Sequence, residues 1–166
     1  MKQFLTFMLF FYCMVSPAQE LPLEEIRSLY SRAAVEKSAC EKLMDQLDSV
    51  SVRTNPLLFG YRGSATMMMA EHVGNPFSKL SYFNKGKEML NGAIEADKDN
   101  MELRFLRFAA QTKAPAMLGY RGQIEEDKKR ILEALPRTDD ASLKKLIVKF
   151  MAASDFVGEQ EKKELN

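Results

Sequence analysis

The chain has no tryptophan, one histidine and two cysteines. Each scarcity removes a chemistry. With His72 alone, no histidine pair and no two-histidine zinc site can form. The stretch MAEHV lacks the second histidine that a metalloprotease helix requires. His72 reads instead as a helix-end residue that favours the helix dipole. Charge of one sign is also missing, since 24 basic residues face 23 acidic ones and are interspersed with them. No basic stripe can track a phosphate backbone, which argues against nucleic-acid binding. DKDN at 97–100 lacks the glycine and bidentate glutamate of a calcium loop, with Glu102 and Phe108 at those places, so it is a turn. No metal or cofactor is expected.

Long apolar runs are absent except at the start. Lys2, the run Phe4 to Val15 and the small residues Ser16-Pro17-Ala18 read as a secretory signal peptide over 1–18, with Gln19 as the new N-terminus. The run is shorter than the roughly 20 residues of a membrane span, and with no comparable run after it no transmembrane segment is expected in the mature chain. A lipoprotein signal using Cys13 is the alternative, and Phe10-Phe11-Tyr12 before it fits poorly. A periplasmic or secreted location follows. Removal of 18 of the 166 residues leaves 148, enough for one domain, expected over 19–158 with a polar tail at 159–166. Cys40 is then the only cysteine. It can form an intermolecular disulfide or serve as a small buried group. Its place in the seven-residue recurrence Ile26, Ala33, Cys40, Leu47 favours burial.

What is present reads as helix. Apolar periodicity predicts helices over about 23–49, 56–72, 77–96, 101–112, 115–135 and 139–153. Asn55-Pro56 supplies a cap and a first-turn proline for the second, and Gly74-Asn75-Pro76 separates it from the third. No stretch alternates as a strand does. The fold class is all-α, about six helices in antiparallel hairpins. Met67-Met68-Met69 spreads over about 200° of a helix, so most of it is core rather than a binding surface.

The segment GKEMLNGAIEADKDN (86–100) resembles the second helix and closing turn of a tetratricopeptide repeat. Gly86, Leu90, Ala93 and Ile94 fall at its small and apolar packing positions, with Asp97 and Asn100 in the turn. Lys98 replaces the usual proline, and Arg104, Arg107 and Phe108 replace the next repeat's tryptophan, leucine and glycine. The resemblance implies a degenerate, right-handed array of hairpins. Such a scaffold holds a protein or peptide partner in a groove and brings no catalytic residue.

Two stretches repeat: PLLFGYRG at 56–63 and PAMLGYRG at 115–122. One reading is a duplicated packing joint, with proline in the first helical turn and the glycines letting another helix approach. The other is a pair of Tyr-Arg sites, Tyr61 with Arg62 and Tyr120 with Arg121, facing one cleft. The fourth predicted helix bears on the choice. It is apolar on two sides, with Arg104, Arg107 and Gln111 forming a narrow polar stripe. Arginines on such a helix cannot stay unpaired. They either meet carboxylates such as Glu88, Glu95 or Asp127, or face a cleft that takes an anionic group.

The sequence therefore favours an exported, non-enzymatic helical-repeat module for binding or assembly. The alternative is a small hydrolase or anionic-ligand-binding protein with its site around the fourth helix. Candidate binding residues are Arg104, Arg107, Gln111, Tyr61, Arg62, Tyr120 and Arg121, and no catalytic residue stands out. Partner and oligomeric state are left open.

Overall fold

The computed structural model describes residues 22–165, so the expected signal peptide lies outside the described residues. Within them the chain is all-α, with no strand. The helices are α1 (Leu23–Ala33), α2 (Lys37–Gln46), α3 (Pro56–His72), α4 (Pro76–Ala96), α5 (Met101–Lys113), α6 (Ile124–Ala134), α7 (Ala141–Ala152) and α8 (Glu159–Glu164).

Eight helices replace the expected six for two reasons. The predicted helix over 23–49 is folded back on itself between Ala33 and Lys37. No proline or glycine lies between 23 and 49 to stop it, so packing makes the break. Doubling back puts Lys42 3.2 Å and Gln46 3.4 Å from Glu25, which defines an antiparallel hairpin. It also buries the whole seam of Ile26, Ala33, Cys40 and Leu47. The Cys40 thiol donates to the Ala65 carbonyl of α3 at 3.2 Å. Burial, and then the charge of Glu41, push the Cys40 pKa up to about 11. The second addition is α8, in the segment expected to be a loose tail. It docks through buried Leu165 and through Glu161, 3.3 Å from Lys128 of α6.

Caps delimit most of the remaining helices as the sequence indicates. Asn55 accepts from Leu58 N–H, and Asn75 accepts from Phe77 and Ser78 N–H. Asn100 takes Glu102 and Leu103 N–H at 3.1 Å each, which makes DKDN a capped turn. His72 ends α3 and donates through Nε2 to the Ala33 carbonyl at 2.7 Å, joining the ends of two helices.

The expected helix over 115–135 is shortened from its front. Ala116–Leu118 forms one 3-10 turn, Gly119 sits in the left-handed region at φ 61°, and α6 begins at Ile124. The two GYRG copies are thus different objects. In the first, inside α3, a Cβ on Gly63 would lie 2.9 Å from Leu90 N and 3.0 Å from Gly86 O. A Cβ on Gly86 would lie 2.6 Å from Met67 N, so α3 and α4 cross backbone to backbone. Gly60 meets Leu103, Ala93 and Leu90. The joint reading therefore holds for this copy. In the second copy Gly119 and Gly122 have no such neighbour, and Gly119 supplies a turn conformation instead.

Contacting positions run in opposite directions along α3 and α4 (60 with 93, 67 with 86). The same holds for α5 and α6, where Arg104 meets Glu126 and Gln111 meets Gln123. Three antiparallel hairpins result, α1/α2, α3/α4 and α5/α6. Their leading helices touch in succession: α1 with α3, α3 with α5, and α5 with α7. Helix α5 is buried on nearly every side. Edge-on aromatic contacts join Tyr30 to Tyr61, Tyr30 to Phe105 and Phe105 to Phe150, linking α1, α3, α5 and α7.

Candidate functional site: two buried arginine–carboxylate networks on α5

Helix α5 carries polar groups into an apolar interior, and each must find a partner there. They sort into two networks. The first centres on Glu102 in the first turn of α5, a place that suits an acidic group. Arg27 of α1 grips it with both arms of its fork, Nε to Oε1 and Nη2 to Oε2 at 2.7 Å each. Tyr61 of α3 donates its hydroxyl to the same Oε1. Arg27 Nη1 continues to Asp140 Oδ1 at 3.1 Å and Ser142 Oγ at 2.6 Å, at the start of α7. Burial works against the Arg27 charge, but the Glu102 and Asp140 hydrogen bonds outweigh it and leave its pKa above the usual value. Burial, then the Glu102 charge, push Tyr61 well above an ordinary phenol, so it stays a hydrogen-bond donor.

The second network centres on Asp127 of α6, which is completely buried. Arg107 meets it as a fork, Nε to Oδ2 at 2.6 Å and Nη2 to Oδ1 at 2.8 Å. Arg104 Nη1 reaches Asp127 Oδ1 at 3.2 Å and Glu126 at 3.4 Å, and its Nε and Nη2 hold the Lys98 carbonyl. Burial disfavours the Arg107 charge, and the Asp127 hydrogen bonds reverse this, raising its pKa. Gln111, one turn further along α5, donates to Gln123 at 2.9 Å. Tyr120 packs edge-on against Phe83. Its hydroxyl and Gln111 Oε1 are buried without a protein partner. Burial pushes the Tyr120 pKa up to about 12.

The seven sequence-predicted binding residues do not share one cleft. Arg104, Arg107 and Gln111 lie along the α6 side of α5 and pair internally, with Asp127 as the carboxylate and neither Glu88 nor Glu95 involved. Tyr120 borders that network. Tyr61 belongs to the Glu102 network. Arg62 turns away to Asp48 and the Val50 carbonyl, bracing the connection between α2 and α3. Arg121 donates to the Ala114 carbonyl and lies over the Phe156 ring. The two motif arginines thus tie down separate loops.

Sequence reasoning missed Arg27, Glu102 and Asp140. The signal for Glu102 was present, because a lone acid in the first turn of so apolar a helix requires a buried cation. Its source could not be read, since Arg27 lies 75 positions away and Asp140 is 113 positions from Arg27. Both buried carboxylates spend their oxygens on guanidinium forks, a geometry that holds helices together rather than presenting an acid or base to a substrate.

These features define a class: an all-α protein of stacked hairpins locked by internal ion networks. Compared with known proteins, the chain matches no family model, no curated protein and no solved structure. Among the described residues, no helix is long and apolar enough to cross a membrane.

Proposed function

We propose that the protein is an exported, non-enzymatic binding or assembly module, built as a tetratricopeptide-like right-handed array of hairpins. Three antiparallel hairpins whose leading helices touch in succession support this reading, since stacked repeats propagate in that way. The segment 86–100 that resembles the repeat forms the second half of α4 and the turn into α5, with Leu90, Ala93 and Ile94 buried. The ends of the array are tied by Arg27, which spans α1, α5 and α7. Tyr30, Tyr61 and Phe105 are buried against one another where the leading helices meet, so this reading puts the partner on the outer surface.

The observation that carries this reading is apolar exposure. Phe77 is 84% exposed and Leu80 48%, three positions apart at the start of α4, and Met117 is 91% exposed in the loop before α6. Single exposed apolar side chains are ordinary on a protein surface, so what supports the reading is that Phe77 and Leu80 share one face of α4 and can enter a partner's pocket together. The partner offers an apolar pocket on a protein or peptide. The test compares wild type with Phe77→Ser/Leu80→Ser as bait in the envelope and secreted fractions of the source cell. A protein retained by wild type should be lost from the double variant, with the melting temperature unchanged. A partner held equally by both excludes this face, and no partner for either ends the module reading.

A further inference from the structure

All three hairpins turn at the same end of the stack: α1/α2 at 34–36, α3/α4 at 73–75 and α5/α6 at 114–123. Two contacts put these turns side by side. His72 donates to the Ala33 carbonyl at 2.7 Å, joining the first turn to the second. Phe83 meets Tyr120 edge-on at 5.6 Å, joining α4 to the third. The end of α7 lies beside them, with Arg121 over the Phe156 ring. Among the described residues, every large apolar side chain that is exposed belongs to this end. Val35 (82%) stands in the first turn, Phe77 and Leu80 just after the second, and Met117 in the third. The connections at the opposite end, 47–55, 97–100 and 138–140, expose none.

We propose that this end is the contact face of a symmetric homodimer, with a second copy of the chain as the partner of Phe77 and Leu80. The inference rests on the reading that those two side chains dock, and names what they dock on. Size supports a second copy. Seven helix ends, each about 10 Å across, make a face of roughly 700 Å², close to the ~800 Å² that each partner buries in a standard interface. Charge supports it as well. Arg32 pairs with Glu36 at 3.0 Å and Lys37 with Glu41 at 3.2 Å. The other exposed charges on the turns and the end of α7 cancel, Lys79 and Lys113 against Glu71 and Asp155, apart from Arg121 on the Ala114 carbonyl. A strongly acidic or basic partner finds no patch of one sign there, and a second copy meets little repulsion. Shape agrees. The protruding side chains stand on separate turns, with the half-buried Val73 and Leu118 beside them as a lower apolar floor. About a two-fold axis, side chains of one copy can enter between the turns of the other, so a single patch supplies both knob and recess.

The test is sedimentation equilibrium of the chain purified from its source cell, over a dilution series. A concentration-dependent monomer–dimer equilibrium is expected. Phe77→Ser/Leu80→Ser should weaken the dimer about tenfold or more, and Val35→Ser and Met117→Ser about threefold each. Arg53→Ser, exposed at the opposite end, should leave it unchanged. At dilutions where the wild type is monomeric, all these variants should melt with it, because the altered side chains are exposed in the single chain. A dimer that every variant leaves intact, or that only Phe77→Ser/Leu80→Ser weakens, overturns the three-turn face. A monomer at every concentration overturns self-association. If Phe77→Ser/Leu80→Ser then still releases another envelope protein, the docking reading stands without it. A monomer that floats with phosphatidylcholine vesicles, and loses this in the same variants, gives the face to a lipid surface and overturns the proposal as well.

Discussion

Gly63 and Gly86 face each other across the α3–α4 crossing, where a methyl group on either meets backbone atoms that cannot move aside. Gly92, on the same helix as Gly86, has nothing within 4 Å of its would-be Cβ. The three positions therefore separate packing from propensity. Gly63→Ala and Gly86→Ala should each destabilise by about 1–3 kcal/mol through overpacking. Gly92→Ala should stabilise by about 0.5–1 kcal/mol, because glycine is a poor helix former. Chemical denaturation of the three variants reads both signs, and a stabilised Gly86→Ala would refute the close crossing. Gly119 differs from all of these. Its Cβ would enter open space, so the penalty there comes from φ alone and not from the overfilled contact that a packing joint would give.

Helix α7 illustrates how an element is held at its end. Asp140 is its N-cap, accepting from Leu143 N–H at 2.9 Å, and it also receives Arg27. The Leu143 hydrogen bond first, then that from Arg27, lower the Asp140 pKa from 3.8 to about 2. Because the folded value is depressed, this stabilisation is fully present above pH 3.8 and disappears as pH falls toward 2. Asp140→Asn retains an acceptor for the cap but not the charge. Its stability should therefore fall less steeply over that interval than wild type, as measured by thermal melts at stepped pH. Asp140→Ala loses the cap as well and should cost about 1 kcal/mol at neutral pH. An Asn variant with the wild-type acid limb would show that the charge is not linked to folding.

At the scale of the molecule, Arg27 joins the first helix to the fifth and the seventh. Hairpin arrays that contact only their neighbours can unfold piecewise. In this chain Arg27 ties α1 to α5 and to the start of α7, so it should unfold in a single transition, with far-UV dichroism and tyrosine fluorescence coincident in urea. Arg27→Met leaves Glu102 buried without its cation and should cost about 3–5 kcal/mol. Hydrogen exchange should then show α1 opening before α3–α6. Wild-type stability in that variant would remove the cross-tie from the account.

The local code was legible where the chain carries its own punctuation. Asn55-Pro56 marks a helix start because a side-chain oxygen and a missing N–H act on the nearest turn, whatever the rest of the molecule does. The breaks read at Gly74-Asn75-Pro76 and DKDN prove to be capped by Asn75 and Asn100 in the same way. The buried seam through Cys40 and the need of the α5 arginines for a carboxylate or an anion were legible for a similar reason: an apolar face must be covered, and a charge on it must be neutralised. Which of Glu88, Glu95 and Asp127 would serve was not legible. Tertiary structure alone decided the rest. It broke a helix with no proline or glycine in it, because two short helices cover the seam better than one long one. It put one GYRG in a helix crossing and the other in a turn, since the glycines of the first are pressed against α4 and α5 while those of the second have nothing within 4 Å of a would-be Cβ. It also gave Glu102 a partner 75 positions away, a choice made by which helices pack together and invisible to any local pattern.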